Sequence, residues 1–326
     1  MSHSAQIWMD HRKFERKFGT TIVIQQYVKF FTERIERGTW RKIPKGLKDA
    51  FAKPRDNDER RLLELIAEGD ADEARTLEME LFKLKARLEH AERTLQKKTT
   101  EQTREQALND CGNVPAKIEA VQHRLDDLRR TEPLERDSRI FPGQYAPVMI
   151  VQDGRRTVVP MRYHCRLPGW TAFVERQHPD SYNARKEVLE KMWSKLFGYR
   201  HGVMVAEAVF ENVPRRRIEQ RELAYGEPAE NTVLEFRPNP SRVMLIPCLW
   251  NFSPRSTPEE RDIFSCATIT DVAPPEIAAA GHDRCIISLK PKHLDAWLNP
   301  DCDDLAALHA ILDDRERVRF EIPQTA

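Results

Sequence analysis

The chain of 326 residues and 38.1 kDa is long enough for one large domain or two small ones. Charged residues make up 32% and hydrophobic residues 40%, with a mean hydropathy of −0.65, so part of the chain is expected outside any core. Lys and Arg number 53 against 52 Asp and Glu, a formal +1 that excludes global attraction to nucleic acid or membrane; an anionic ligand must meet a local patch.

No apolar run approaches the ~20 residues that span a bilayer. Residues 1–13 carry no signal-peptide core, which predicts a cytoplasmic protein with no membrane partner. In residues 1–50 aromatic and basic residues alternate. Phe14 and Phe18 are four apart with Gly19 placed to end a helix, and a second helix is predicted from Gln25 to about Arg37, closed by Gly38. Lys42–Gly46 reads as a connector.

From about Asp56 to Arg130 the composition changes. Leu77, Leu81, Leu84, Leu88, Ala91 and Leu95 step by four and three, as do Ile118, Val121, Leu125 and Leu128 after a polar break at Asn109–Asn113. Two such seams predict an antiparallel helical hairpin over 56–131, packed on itself or offering a face for a partner or self-association.

Beyond Ser138 short β-rich runs follow: Pro147–Val151, Thr157–Tyr163, Gly202–Phe210, Thr232–Phe236, Arg242–Trp250, Phe264–Thr270 and Cys285–Leu289, with Asp153-Gly154 as a hairpin signal. Helices are predicted from Asn183 to Leu196, after Pro275 and from Asp303 to Leu312. The pattern is an α+β fold, one domain from residues 1–50 and 138–326 with the hairpin inserted as a lobe.

Six cysteines are scattered without a CxxC pair, so free buried thiols are expected, and His282 with Cys285 is too small a set for a metal site. Walker A, GxGxxG, HExxH and GxSxG runs are missing, and no cofactor is predicted. A thiol enzyme built on Cys165 or Cys248 lacks a base at recognisable spacing. The remaining polar punctuation is Asn183-Ala184-Arg185-Lys186-Glu187 at a helix start, Glu211 at the end of an apolar strand, and His282-Asp283-Arg284 before the last strand.

Taken in order, Asn183–Glu187, Phe210-Glu211-Asn212, Cys248-Leu249-Trp250, Ala267–Asp271 and Gly281–Arg284 resemble motifs of the SOS response-associated peptidase family. Tyr145–Met149, Met161–Tyr163, Pro168, Trp170 and Asp295–Leu298 resemble its early strands and closing helix. The resemblance covers about 1–20 and 140–300, although Ala208–Glu211 departs from the commoner GFYEW wording. It implies a mixed β-barrel or sheet core with flanking helices, whose mature N-terminus enters the active site, binds single-stranded DNA and links covalently to the aldehyde of an abasic site after self-removal of Met1.

The resemblance implies roles for Asn183 in orienting the terminal residue, for Glu211 as general acid/base and for His282 in moving protons at the sugar oxygens. Arg162, Arg185 and Arg284 would meet phosphate, Trp170 and Pro147 would wedge or stack against bases, and Arg215, Arg216 and Arg217 form a basic edge after Glu211. An α-amine, with a pKa near 7.7–8.0, is partly neutral at physiological pH and can attack an aldehyde to form an imine. A Cβ thiol would then close a five-membered ring. Position 2 here is Ser2, whose hydroxyl is too poor a nucleophile for that closure. Three explanations stand: a natural variant that stops at the imine, with lyase chemistry still open; a catalytically silent single-stranded-DNA-binding or scaffold relative; or a cysteine-to-serine replacement.

Overall fold

The computed structural model describes residues 4–218, 221–222, 230–255 and 262–321. Strand β1 (Ser4–Ile7) leads into helices α1 (His11–Phe18) and α2 (Ile24–Glu36). Asp10 caps α1 by accepting the Arg12 N–H at 2.9 Å, and Gly19 closes it. The segment expected as a connector carries a 3-10 turn over Trp40–Lys42 and α3 (Lys45–Asp49). Pro44 precedes α3, where a missing N–H goes unnoticed, and Leu47 anchors the turn in the core.

Helices α4 (Asn57–Leu95) and α5 (Glu101–Arg129) follow, then β2 (Arg139–Ile140), β3 (Tyr145–Gln152) and β4 (Arg155–Tyr163). Asp153 and Gly154, at φ 51° and 72°, make the two-residue turn that sets Gln152 opposite Arg155. Next come α6 (Ala172–Arg176), β5 (Asn183–Arg185), β6 (His201–Pro214), α7 (Arg215–Ile218) and β7 (Asn231–Pro238). The chain continues through β8 (Met244–Ser253), β9 (Ile263–Val272), α8 (Pro275–Ala279) and β10 (Arg284–Ile286). It ends with α9 (Leu294–Leu298), α10 (Leu305–Asp313) and β11 (Phe320–Glu321).

The helix predicted from Asn183 to Leu196 is replaced by β5 and a chain of turns. Asn183, Ala184 and Arg185 run parallel to β9, opposite Thr268, Ile269 and Thr270. The turns beyond bury Leu189, Trp193, Leu196 and Phe197, which is the spacing that imitates a helix.

Two compact units result. One comprises Met1–Tyr27, Lys42–Ala50 and Leu134–Ala326; the other comprises Val28–Arg41 and Phe51–Pro133. In the first, the pairings β6–β8–β9–β4–β3–β6 close a mixed barrel, β3 meeting β6 through Met149 and Val203. Its core gathers Phe14, Trp193, Phe197, Leu249 and Trp297. β6 is long enough to carry two strands along each edge. Residues 201–206 pair with β8 and 209–214 with β7; on the other edge β3 meets Val203 and β1 covers 206–210.

In the second unit α4 and α5 are antiparallel, Arg87 bonding Asp110 at 2.6 and 2.9 Å and Arg129 bonding Glu78 at 2.5 Å. Leu77, Val121 and Leu125 form their core, flanked by Leu81, Leu84 and Leu128. The break predicted at Asn109–Asn113 lies inside α5, and the turn is Gln96–Thr100, where Thr100 caps α5. Ala107, Cys111, Val114, Ile118, Val121, Leu125 and Leu128 step by four and three without interruption, and all are buried or half-buried. Asn109 and Gly112 fall on the exposed side of the helix, so their polarity does not stop it.

Candidate active site

Alternation along β6 turns Val209 and Glu211 to one face, with Glu211 only 1% exposed. That face bounds a largely apolar cavity lined also by Ser4 and Ala5 of β1, Ile140 of β2, Tyr163 of β4 and Thr268 of β9. The Tyr163 hydroxyl and Thr268 Oγ1 lie 3.2 Å apart within it, and burial raises the phenol well above its ordinary range. A buried carboxylate in an apolar chamber with a few hydroxyls can hold or accept a proton beside a reacting group without competing water.

His282 follows α8 at a turn, its N–H donating to the Ile277 carbonyl at 3.2 Å. Its Nε2 stands 3.0 Å from the Asn212 carbonyl and 3.5 Å from Glu211 Oε2. A carbonyl oxygen only accepts, so Nε2 carries a hydrogen and presents it between Asn212 and Glu211. Asn183 is largely buried on β5, opposite Thr268, and its Oδ1 accepts from the Thr270 hydroxyl. The structure thus brings Glu211 and His282 into contact and sets Asn183 beside a strand that lines the cavity. Ser2 lies outside the described residues.

The residues expected to meet DNA fare differently. Arg162 is tied to Glu175 and donates to the His164 carbonyl at 3.2 Å. Arg284 pairs with Glu187, whose carboxyl it holds down against the upward push of burial. Arg185 is half-buried and has no ion pair among the described residues. Arg215 pairs with Glu230 at 3.0 Å, Arg216 is exposed, and the Arg217 side chain lies outside the description. Trp170 stacks on His178 at 4.5 Å. Pro147 is buried in β3 opposite Pro160.

Sequence reasoning missed the hub at Glu175, because its partners meet only through the fold. Burial would raise this carboxyl, but His164, Arg162 and Arg166 hold it at about 2. Ser181 Oγ, His164 and Glu175 are linked at 3.2 and 3.1 Å in the order of a hydrolase triad. The Ser181 hydroxyl instead gives its hydrogen to the Cys165 carbonyl at 2.9 Å and is 1% exposed, so the row is a structural one. Burial pushes the Cys165 and Cys248 thiols up to about 12, which removes the thiolate a cysteine enzyme needs. Among the described residues the grouping of three potential metal ligands is Asp301, Cys302 and Asp303, all exposed, and it includes neither His282 nor Cys285. No helix among the described residues is long and apolar enough to cross a membrane.

No curated protein matches the chain. Among solved structures, a protein from Bordetella bronchiseptica is 17% identical with a TM-score of 0.45, over 58% of this chain and 88% of that one. A protein from Bacteroides thetaiotaomicron is 13% identical at 0.44, over 56% and 75%, and a phage-related protein from Bordetella bronchiseptica is 15% identical at 0.42, over 57% and 81%. The family described as SOS response associated peptidase matches residues 93–324, which leaves β1 outside the match but takes in Asn183, Glu211 and His282. With well over half of its length matched, the chain belongs to the SOS response associated peptidase family, and its role at family level is SOS-associated and DNA-damage-related, with DNA as partner.

Proposed function

We propose that this protein is a cytoplasmic enzyme that binds single-stranded DNA at abasic sites and reacts with the ring-opened sugar through its mature amino terminus. The observation that carries the reading is the placement of β1: Ser4 lies opposite Phe210, next to Glu211, and lines the same cavity as Glu211, which His282 touches. The chemistry belongs to the domain drawn from residues 1–50 and 138–326, less Val28–Arg41, which packs in the unit of the 56–131 hairpin; that hairpin is an inserted lobe whose own partner would be a protein or a second copy.

Hydrolysis of the Met1–Ser2 bond consumes one water and frees the Ser2 amine. The neutral amine attacks the aldehyde carbon, and the carbinolamine so formed loses water to give an imine. Glu211 hands a proton to the departing hydroxyl and takes it back as the amine nitrogen loses its own. His282 serves the sugar hydroxyl during ring opening, and Asn183 orients the terminal residue. With a hydroxyl on Ser2 the sequence ends at the imine; removal of a C2 proton then expels the 3′-phosphate as a leaving group, which is lyase chemistry. Of the arginines expected at the DNA, Arg185, whose charge is felt by the Glu187 carboxyl, and the exposed Arg216 form no ion pair among the described residues and are the candidates to meet phosphate.

Borohydride trapping on an abasic single-stranded oligonucleotide tests this. Mature protein should give a trapped adduct, Glu211→Gln should slow it at least tenfold, and Ser2→Cys should convert it to a heat-stable crosslink without borohydride. A mature, folded protein that binds the oligonucleotide yet yields no adduct would overturn the enzyme in favour of a silent DNA-binding relative.

A further inference from the structure

The start of β1 is held by more than backbone pairing. Arg139 of β2, opposite Gln6 in register, reaches to Ser4, whose Oγ accepts from Arg139 Nε at 3.1 Å and from Nη2 at 2.9 Å. The same guanidinium lies over the Phe210 ring at 3.8 Å and 4.9 Å from that of Phe141. Burial lowers its pKa against a smaller upward pull from the Glu235 carboxylate, which forms no ion pair with it among the described residues. A rigid fork whose hydrogen bonds go to a neutral hydroxyl, with its plane on an aromatic face, contributes geometry more than charge. A second arginine repeats the grip one step along: Arg237 Nη2 donates to Gln6 Oε1 at 3.1 Å. Ser4 and Gln6 share one face of β1, so both handles pull the same side of the strand towards β2 and β7.

We infer that Arg139 is a positioning residue that acts through Ser4, pinning the start of β1 against Phe210 so that the terminal amine stays within reach of Glu211. The inference rests on the imine reading above. An amine tethered in place reacts at an effective concentration far above that of a fraying terminus, and a misplacement of about 1 Å can cost ~100-fold in rate.

The experiment measures single-turnover borohydride trapping over a range of abasic oligonucleotide concentrations, for the wild type, Arg139→Gln, Arg139→Lys, Ser4→Ala and the Arg139→Gln/Ser4→Ala pair. Arg139→Gln and Ser4→Ala should each lower the rate at saturation by roughly 10- to 100-fold. Half-saturation should stay within about twofold, and the double variant should be no slower than the worse single one. Arg139→Lys keeps the charge without the fork and should be as slow as Arg139→Gln. A lysine variant with the wild-type rate, effects that add, or an effect that appears as weaker half-saturation would make Arg139 a phosphate contact and overturn the inference. Hydrogen exchange of the Ala5 and Gln6 amides separates this from a failure of the imine reading. If the wild type forms no adduct, that reading falls alone. The clamp then stands on faster exchange in both single variants with the remainder of β6 unchanged, and falls if β1 exchange does not move.

Discussion

His201 sits at the start of β6 with its ring 3.9 Å from that of Trp297 and 5.6 Å from that of Phe197. Its Nδ1–H donates to the Trp297 carbonyl at 3.0 Å, and its Nε2 accepts the Gly198 N–H at 2.9 Å, so both nitrogens are satisfied only in the neutral ring. Burial lowers its pKa to about 3. An unfolded histidine takes its proton near 6.5, so between 6.5 and about 3 the unfolded chain binds one more proton and stability drops as the pH is lowered. The slope is about 1.4 kcal/mol per unit at most. Glu175 works in the same direction only lower down, its contribution being complete above about pH 4.5 and lost as pH falls through about 2. His201→Gln keeps a donor and an acceptor but has no proton to gain. Urea titrations between pH 4.5 and 6.5 should therefore show a midpoint that slides in the wild type and stays level in the variant, from a lower starting value because the ring stack is lost. An equal slide in both would remove His201 as the cause.

At the level of elements, packing decides two glycines in opposite ways. A Cβ at Gly69 of α4 would stand 2.5 Å from the Trp40 ring, which is anchored by its Nε1–H on Asp70 at 2.7 Å. Gly112 of α5 has nothing within 4 Å of the same position. Alanine favours a helix interior by about 1 kcal/mol over glycine. Gly112→Ala should therefore stabilise the hairpin by up to that amount, while Gly69→Ala should destabilise it by about 1–3 kcal/mol despite the better propensity. Denaturant melts followed by helix signal compare the two, and a stabilised Gly69→Ala would contradict the close approach. The same elements show what the sequence could carry. Strands with apolar alternation, the αL closure of α1 and the four-three seam of the hairpin are all readable, since each is written in neighbouring residues. The turn between α4 and α5 is misplaced by the sequence because polarity at Asn109–Asn113 stands out while the small seam residues Ala107 and Val114 do not. Asn183–Leu196 imitates a helix because successive turns bury the same spacing. Glu211 and His282 emerge from ordered motifs, whereas Arg139, Ser4 and the Glu175 hub join residues far apart in the chain, and no local pattern announces them.

For the molecule as a whole, a net charge of +1 leaves little long-range pull on DNA, so binding must depend on a few arginines and on how many are already committed. Arg162 and Arg284 are committed to Glu175 and Glu187. Arg185 and Arg216 are the better candidates, and removing one arginine that neutralises a phosphate should flatten the logarithmic salt dependence of single-strand affinity by about 0.7. Arg185→Gln should show that change, measured by fluorescence anisotropy from about 50 to 200 mM salt, while Arg284→Gln should show a smaller one. Equal slopes in wild type and Arg185→Gln would remove that residue from the interface.

The pairing of β1 with β6 joins residues about two hundred positions apart. A ribosome adding 5–20 residues per second would need roughly 10–40 s to deliver the second strand after the first. Throughout that interval β1 has only the two residues of β2 to pair with, and the edge that β6 will cover stays open. Affinity tags therefore belong at the carboxyl end, where they leave free the amino terminus that the proposed chemistry uses.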